Sequence, residues 1–154
     1  MKIKYLNKRP DLAQKSRLNK KYLQFQELIS ELRDMVLNIE IKHSLNNAID
    51  TMNSLSDFDK KLGKQLKSEQ SKILKLLKNE LKLVTKNYYR NKWLAFGIGA
   101  LGVPIGIAIG VIMGNMAFIG IGLPIGFGFG LAVGTGLDLK VKEKGKQLKF
   151  EIKY

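Results

Sequence analysis

Residues 93–137 carry no ionisable side chain: forty-five consecutive positions without Asp, Glu, Lys, Arg or His, in a 154-residue chain whose formal net charge is +14. A hydrocarbon layer about 30 Å thick is crossed by about 20 helical residues. The stretch therefore has the length of two crossings and a turn. Thirteen of the chain's 15 glycines fall inside it. The break is expected at Gly114-Asn115-Met116, because Asn115 is the only carboxamide in the stretch and Gly-Asn is turn chemistry. This places spans near 93–113 and 117–137.

Orientation follows from the flanking charge. Lys86, Arg90 and Lys92 precede the first span, Lys140, Lys142, Lys144 and Lys146 follow the second, and the connector is neutral. By the positive-inside bias both termini face the cytoplasm and the chain is a multi-pass protein of a cell (inner) membrane. Residues 1–10 lack the apolar core of a secretory signal, which agrees with a cytoplasmic start. Tyr88, Tyr89 and Trp93 cluster at the first boundary, where amphipathic rings favour the headgroup layer.

The stretch repeats itself with an offset of 20 residues, so that Gly102, Gly106, Gly110 and Gly114 correspond to Gly122, Gly126, Gly130 and Gly134. Positions four apart share one helix face, and a glycine face lets a neighbouring backbone approach closely. Each glycine costs about 1 kcal/mol of helix propensity in water relative to Ala, so a ladder this regular implies packing that recovers the loss. These eight are the expected helix-packing residues. Ala100, Pro104 and Ala108, with Gly120, Pro124, Gly128 and Ala132, form a second set offset by two positions. A helix thin on two sides can pack between two neighbours, which points to a homo-oligomer. The rival reading is a strand, because small and large residues alternate from Gly120 to Leu137. Against it stand the excess length for a membrane strand, the lack of a polar alternate face, and the prolines. Helices are expected, with Pro104 and Pro124 as kinks that free the carbonyls of Ala100 and Gly120.

The run Gly102–Gly134 and the following Gly136-Leu137-Asp138-Leu139-Lys140 resemble the small bacterial glycine-zipper membrane proteins, some of them bacteriocin-like. That resemblance covers the C-terminal third and implies a self-associating membrane hairpin, in a group that includes channels, pore formers and plain anchors.

Upstream, residues 1–19 form a basic segment and 20–92 a helical, cytoplasmic domain. Phe25, Leu28, Leu32, Met35 and Ile39 step by three and four, and Ile41, Leu45, Ala48, Met52 and Leu55 continue in shifted phase. This reads as one long helix with a register slip, ending in a turn where Ser56 and Asp59 have capping-box spacing. A second helix, about 57–92, would carry Leu62, Leu66, Ile73, Leu77, Leu81, Val84 and Tyr88 and continue into the first span. A helical hairpin or coiled coil of this size is thin, so either intermolecular packing or cover by the terminal segments is needed. The tail, 138–154, alternates at Leu139 and Val141 and at Leu148, Phe150, Ile152 and Tyr154 around Gly145, and Met1, Ile3 and Tyr5 alternate too. A short hairpin about Gly145, or an extension of the second span to Gly145 followed by one strand, would use that pattern, and the first segment could pair with it in a small sheet.

Lys75, Lys78, Lys82 and Lys86 step along one side of the second helix, and with Arg90 and Lys92 they suit anionic lipid headgroups. A merely solvated face is the plain alternative. Nucleic acid is disfavoured, because no binding motif or interleaved aromatics accompany the charge. Zero Cys and a single His, His43, leave no thiol nucleophile, zinc cluster or Ser-His-Asp triad, so no enzyme, metal or cofactor is expected. His43 reads as a surface or packing residue, and Glu27 with Glu31 as a solvated face.

The expectation is thus an all-α membrane protein. Its leading functional reading is permeabilisation or conduction by a homo-oligomer whose assembly the cytoplasmic helical domain controls, with any pore lined by glycine backbone, Thr135 and Asn115. The runner-up is a non-conducting anchor whose helical domain binds a protein partner, and the third is a regulator of another membrane protein.

Overall fold

The computed structural model describes residues 1–10, 12, 16–56 and 61–152. Helix makes up 74% of it, in five helices, and no strand occurs among the described residues. The chain forms two compact units, Met1–Val84 with Leu148–Tyr154, and Thr85–Gln147.

The first unit is built on α1 (Arg17–Arg33), α2 (Ile39–Ser54) and α3 (Leu62–Leu81), with α3 packed against both others. Its core is the apolar stripe of each helix: Phe25, Leu28 and Leu32, then Ile41, Leu45, Ile49 and Met52, then Leu62, Leu66, Ile73 and Leu77. The single long helix expected over 20–55 is two helices. What reads as a slip of register is the place where α1 ends at Asp34 and Asn38 starts α2 by accepting the Ile41 N–H at 2.8 Å. Ile39, counted in the first stripe, is consequently 76% exposed. The turn pairing of Ser56 with Asp59 and the start of the second helix at 57 lie outside the described residues, as does Tyr154.

The terminal segments close this unit without forming a sheet. The first runs along α2, held by two asparagines. Asn46 accepts the Lys4 N–H at 2.8 Å and donates to the Lys2 carbonyl at 3.0 Å; Asn53 accepts the Asn7 N–H at 2.9 Å and donates to the Tyr5 carbonyl at 3.0 Å. Seven helical residues rise about 10.5 Å and three extended residues about 10 Å, so amides two turns apart meet the extended chain at matching positions. Lys4 adds an ion pair to Asp50 at 2.6 Å. The second segment lies on α1, where the Glu31 carboxylate accepts the N–H groups of Lys149 and Phe150 at 2.6 and 2.8 Å. Glu31, half-buried, is therefore a structural acceptor and not merely part of a solvated face. Ile3, Leu148 and Phe150 go into the core, which supplies the cover that a thin helical hairpin lacks.

The helix expected to run from α3 into the first span stops instead. Lys82 takes a left-handed conformation (φ 57°), and the Leu83 N–H returns to the Leu77 carbonyl at 3.2 Å. A second left-handed residue, Asn87 (φ 59°), precedes the helices of the second unit.

Those helices are α4 (Tyr88–Ile112) and α5 (Met116–Glu143), antiparallel and joined by a three-residue turn. Both are long and apolar enough to cross a membrane. The turn falls at the expected place, with Gly114 at φ +66° and the Asn115 side chain accepting the Ala117 N–H at 2.9 Å. The alternation from Gly120 onward belongs to a helix, which continues past the apolar region to Glu143 and ends beside Gly145 (φ +64°). Lys140 and Lys142 occupy its last turn, where positive charge is favoured.

Candidate functional site

The apposed faces of α4 and α5 are the most specialised surface of the second unit. On α5 they comprise Gly122, Gly126, Gly130 and Gly134, all buried, at the four-residue step seen in the sequence. On α4 the buried glycines are Gly97, Gly102, Gly106 and Gly110. The gap from Gly97 to Gly102 is five, which would leave the face in an α-helix. Residues Gly97–Gly102 form a π-helical turn, wider by most of a residue, and the face is preserved. The turn ends just ahead of Pro104, which has no N–H to return to that turn. Pro124 lies inside α5 on its exposed side.

The helices touch backbone to backbone. A methyl group on Gly126 would meet the Gly97 carbonyl oxygen and lie 2.7 Å from the Gly102 Cα; one on Gly134 would lie 2.5 Å from the Arg90 Cα. One on Gly106 would lie 3.0 Å from the Ile119 Cα, and one on Gly122 would strike Gly102 and Gly106. Carbon atoms do not approach this closely, so any side chain at these positions must push the helices apart. Six of the eight expected packing glycines, Gly102, Gly106, Gly122, Gly126, Gly130 and Gly134, are in this contact; Gly110 is buried but meets only the turn at ordinary van der Waals distance, with the Met116 Sδ at 3.4 Å. The eighth, Gly114, is not a packing residue: it supplies the left-handed bend, and nothing lies within 4 Å of a Cβ built there.

One acidic side chain closes the open end. Asp138, only 6% exposed, accepts the backbone N–H groups of Tyr89 and Arg90 at 3.0 and 2.9 Å. Asn87, at the head of α4, makes no side-chain cap of its own. A carboxylate from the opposite helix thus satisfies two of the four orphan donors at the start of α4, at the positive end of its dipole. Asp138 was not among the expected site residues, yet the step 122, 126, 130, 134 continues to 138. Gly97 was missed as well, since a ladder counted strictly in fours stops at Gly102.

The three expected interfacial aromatics sit in the first two turns of α4. Tyr88 and Tyr89 pack edge to face at 5.1 Å, and Trp93 contacts Phe96 at 5.4 Å and, across the hairpin, Phe129 at 6.3 Å. The outward faces of α4 and α5 are apolar and open, including Ile107, Val111, Leu123, Ile125, Phe127 and Phe129, each more than 40% exposed. Gly99, Gly120, Gly128 and Gly136, of which the second and third belong to the second small-residue set, have nothing within 4 Å of a Cβ.

The expected lysine stripe is not continuous. Lys75 and Lys78 are on α3, but Lys82 follows its end and turns back so that its ammonium donates to the Asn79 carbonyl at 2.9 Å. Lys86, Arg90 and Lys92 belong to the second unit. An open groove of ≈ 400 Å³ lies instead along the exposed side of α3, lined by Lys64, Lys67, Ser68, Ser71, Lys72 and Lys75. His43 is exposed and its Nδ1 lies 3.1 Å from the Asn47 side-chain nitrogen. No group of three or more potential metal ligands occurs among the described residues.

No protein-family model matches the chain, and neither the curated proteins nor the solved structures contain a match to it.

Proposed function

We propose that the chain is an integral membrane protein in which α4 and α5 cross the bilayer as one close-packed hairpin, and that this hairpin is a non-conducting anchor for the helical unit, which works at the membrane's cytoplasmic face. The observation that carries the membrane assignment is exposure. Only 22% and 17% of the most apolar windows of the two helices are buried in the protein. The core helix of a soluble protein is mostly buried, and an exposed apolar surface this long would aggregate in water. Lysines and arginines flank both ends of the hairpin and its connector is neutral, which supports both ends on the cytoplasmic side of a cell membrane.

The preference for an anchor over a pore rests on what the inner faces are used for. They meet backbone to backbone within one hairpin and leave no lumen between α4 and α5. The polar groups available to line a pore are satisfied locally: the Thr135 hydroxyl donates to the Leu131 carbonyl at 2.7 Å, and the Asn115 side chain caps its own turn. Conduction by a homo-oligomer is the second reading, and a specific observation favours it. The outer glycines Gly99, Gly120, Gly128 and Gly136 are open to a neighbouring copy. Coiled-coil pairing of the helical units would belong to that assembly.

Reconstitution separates the two. The purified chain should resist extraction from vesicles at alkaline pH and leave an entrapped dye in place even at high protein-to-lipid ratio. Dye release that rises with a power of protein concentration above one would replace the anchor with the oligomeric pore.

A further inference from the structure

We infer that the outward side of α3, bearing Lys64, Lys67, Lys72 and Lys75 around Ser68 and Ser71, is a docking surface for the anionic phospholipid headgroups of the membrane that holds the hairpin. The inference rests on the membrane reading above.

These residues are spaced 64, 67, 68, 71, 72, 75, the three-and-four step of one helix side, and all six are exposed along three turns of α3. Among the described residues Lys64, Lys67 and Lys75 make no ion pair, while Lys72 pairs with Glu69 at 2.7 Å and keeps 64% of its side chain in solvent. Glu69 itself is buried, leaving the groove without an exposed carboxylate. The exposed seryl hydroxyls of Ser68 and Ser71 among the lysines are donors of the kind that phosphate oxygens accept. α3 itself carries five lysines against two glutamates, and one of those glutamates, Glu69, is buried.

Covalent reach selects lipid over other polyanions. Six residues, 82–87, connect α3 to the first membrane-crossing helix, and six residues span at most about 20 Å. The C-terminal end of α3 is therefore held close to the headgroup layer at high effective concentration, with Lys75 about 9 Å back along the helix. Lysines near an anionic leaflet are drawn to it within about one Debye length. No aromatic side chain is interleaved with the lysines of the groove, which removes the stacking platform a single-stranded nucleic acid uses.

The chain has no Cys, so one introduced thiol reports on one position. Ser71→Cys, labelled with a small fluorophore, is reconstituted as the full chain in nanodiscs of phosphatidylcholine alone or with one part in three phosphatidylglycerol, with Asn47→Cys on the exposed side of α2 as reference. The acrylamide quenching constant at position 71 should fall about threefold in the anionic discs, recover near 1 M NaCl where the Debye length is about 3 Å, and stay unchanged at position 47. Lys64→Glu/Lys67→Glu/Lys75→Glu, with helicity checked by circular dichroism, should abolish the protection. Equal quenching in both lipids, or protection that survives charge reversal, overturns the inference and leaves the anchor standing. Protection by added single-stranded RNA but not by lipid assigns the groove to nucleic acid and overturns it too. Failure of the chain to enter neutral discs overturns the membrane reading and this inference with it.

Discussion

Asp138 takes two backbone N–H groups at the head of α4 from a position on α5. Such a carboxylate ties the ends of the hairpin together at the level where the apolar stretch gives way to charge. A buried polar group left without its partner costs about 1–3 kcal/mol, and two donors depend on this one. Asp138→Ala should therefore lower hairpin stability by about 1–3 kcal/mol, whereas Asp138→Asn, which keeps one acceptor oxygen, should lose about half as much. Titration of the full chain from a mild detergent into dodecyl sulfate, followed by the Trp93 fluorescence, measures both. An alanine variant with an unshifted midpoint would mean that water caps α4 equally well. The same economy operates in the first unit, where Glu31 holds the returning chain and Asn46 and Asn53 hold the first segment. None of these roles was legible beforehand. A side chain that binds backbone distant in sequence leaves no periodic trace, and Glu31, one turn from Glu27, looks like any solvated acid.

At the scale of elements, the glycines divide into those that face the other helix and those that face away, and both kinds occur in α5: Gly122, Gly126, Gly130 and Gly134 face inward, and Gly120, Gly128 and Gly136 face outward. Gly126 and Gly128 make the contrast cleanly, since a Cβ on the first collides with α4 and a Cβ on the second meets nothing. Gly126→Leu should move the helices toward the about 8–10 Å separation typical of pairs with intervening side chains, and Gly128→Leu should leave the separation unchanged. Spin labels on the exposed positions Ala95 and Leu131 would report the distance by pulsed electron resonance; equal shifts in the two variants would refute the assignment of faces. This division was half readable. The four-residue step identified the face from Gly122 to Gly134, because a strict period survives any placement of the helix. The π-turn hid Gly97, since a ladder counted in fours cannot see a change of helical pitch. The interruptions at 34–38 and 82–87 were hidden for a related reason: apolar residues resume at permissible spacing on both sides, and Lys82 is not a residue whose type announces a left-handed turn.

In the molecule as a whole, the membrane-length hairpin is an insertion into the helical unit and not an appendage to its end. The chain leaves the first unit at Val84 and re-enters it at Leu148, and there the Leu148 N–H donates to the Val84 carbonyl at 2.8 Å. Exit and return are adjacent, so the two ends of whatever lies between them must come together, as those of an even number of crossings do. The returning segment is part of the core of the unit that it closes, because Phe150 is fully buried among the helices and Leu148 is 2% exposed. Two consequences follow from this topology. Replacing residues 85–147 by a two-residue Asn-Gly turn should give a chain that is soluble without detergent, helical, and unfolds cooperatively, since it removes no residue of the helical core and joins points already within hydrogen-bonding distance. Ending the chain at Val84 should instead give a loosened unit. Phe150→Ala in the joined chain should approach that state, because truncating a buried Phe costs about 3–5 kcal/mol, a large share of the 5–15 kcal/mol that holds a small domain together. Urea unfolding followed by circular dichroism compares all three. If the joined chain melts without cooperativity while the full-length protein in detergent melts sharply, the helical unit depends on the hairpin for more than continuity of the chain, and the division into two self-sufficient units is wrong.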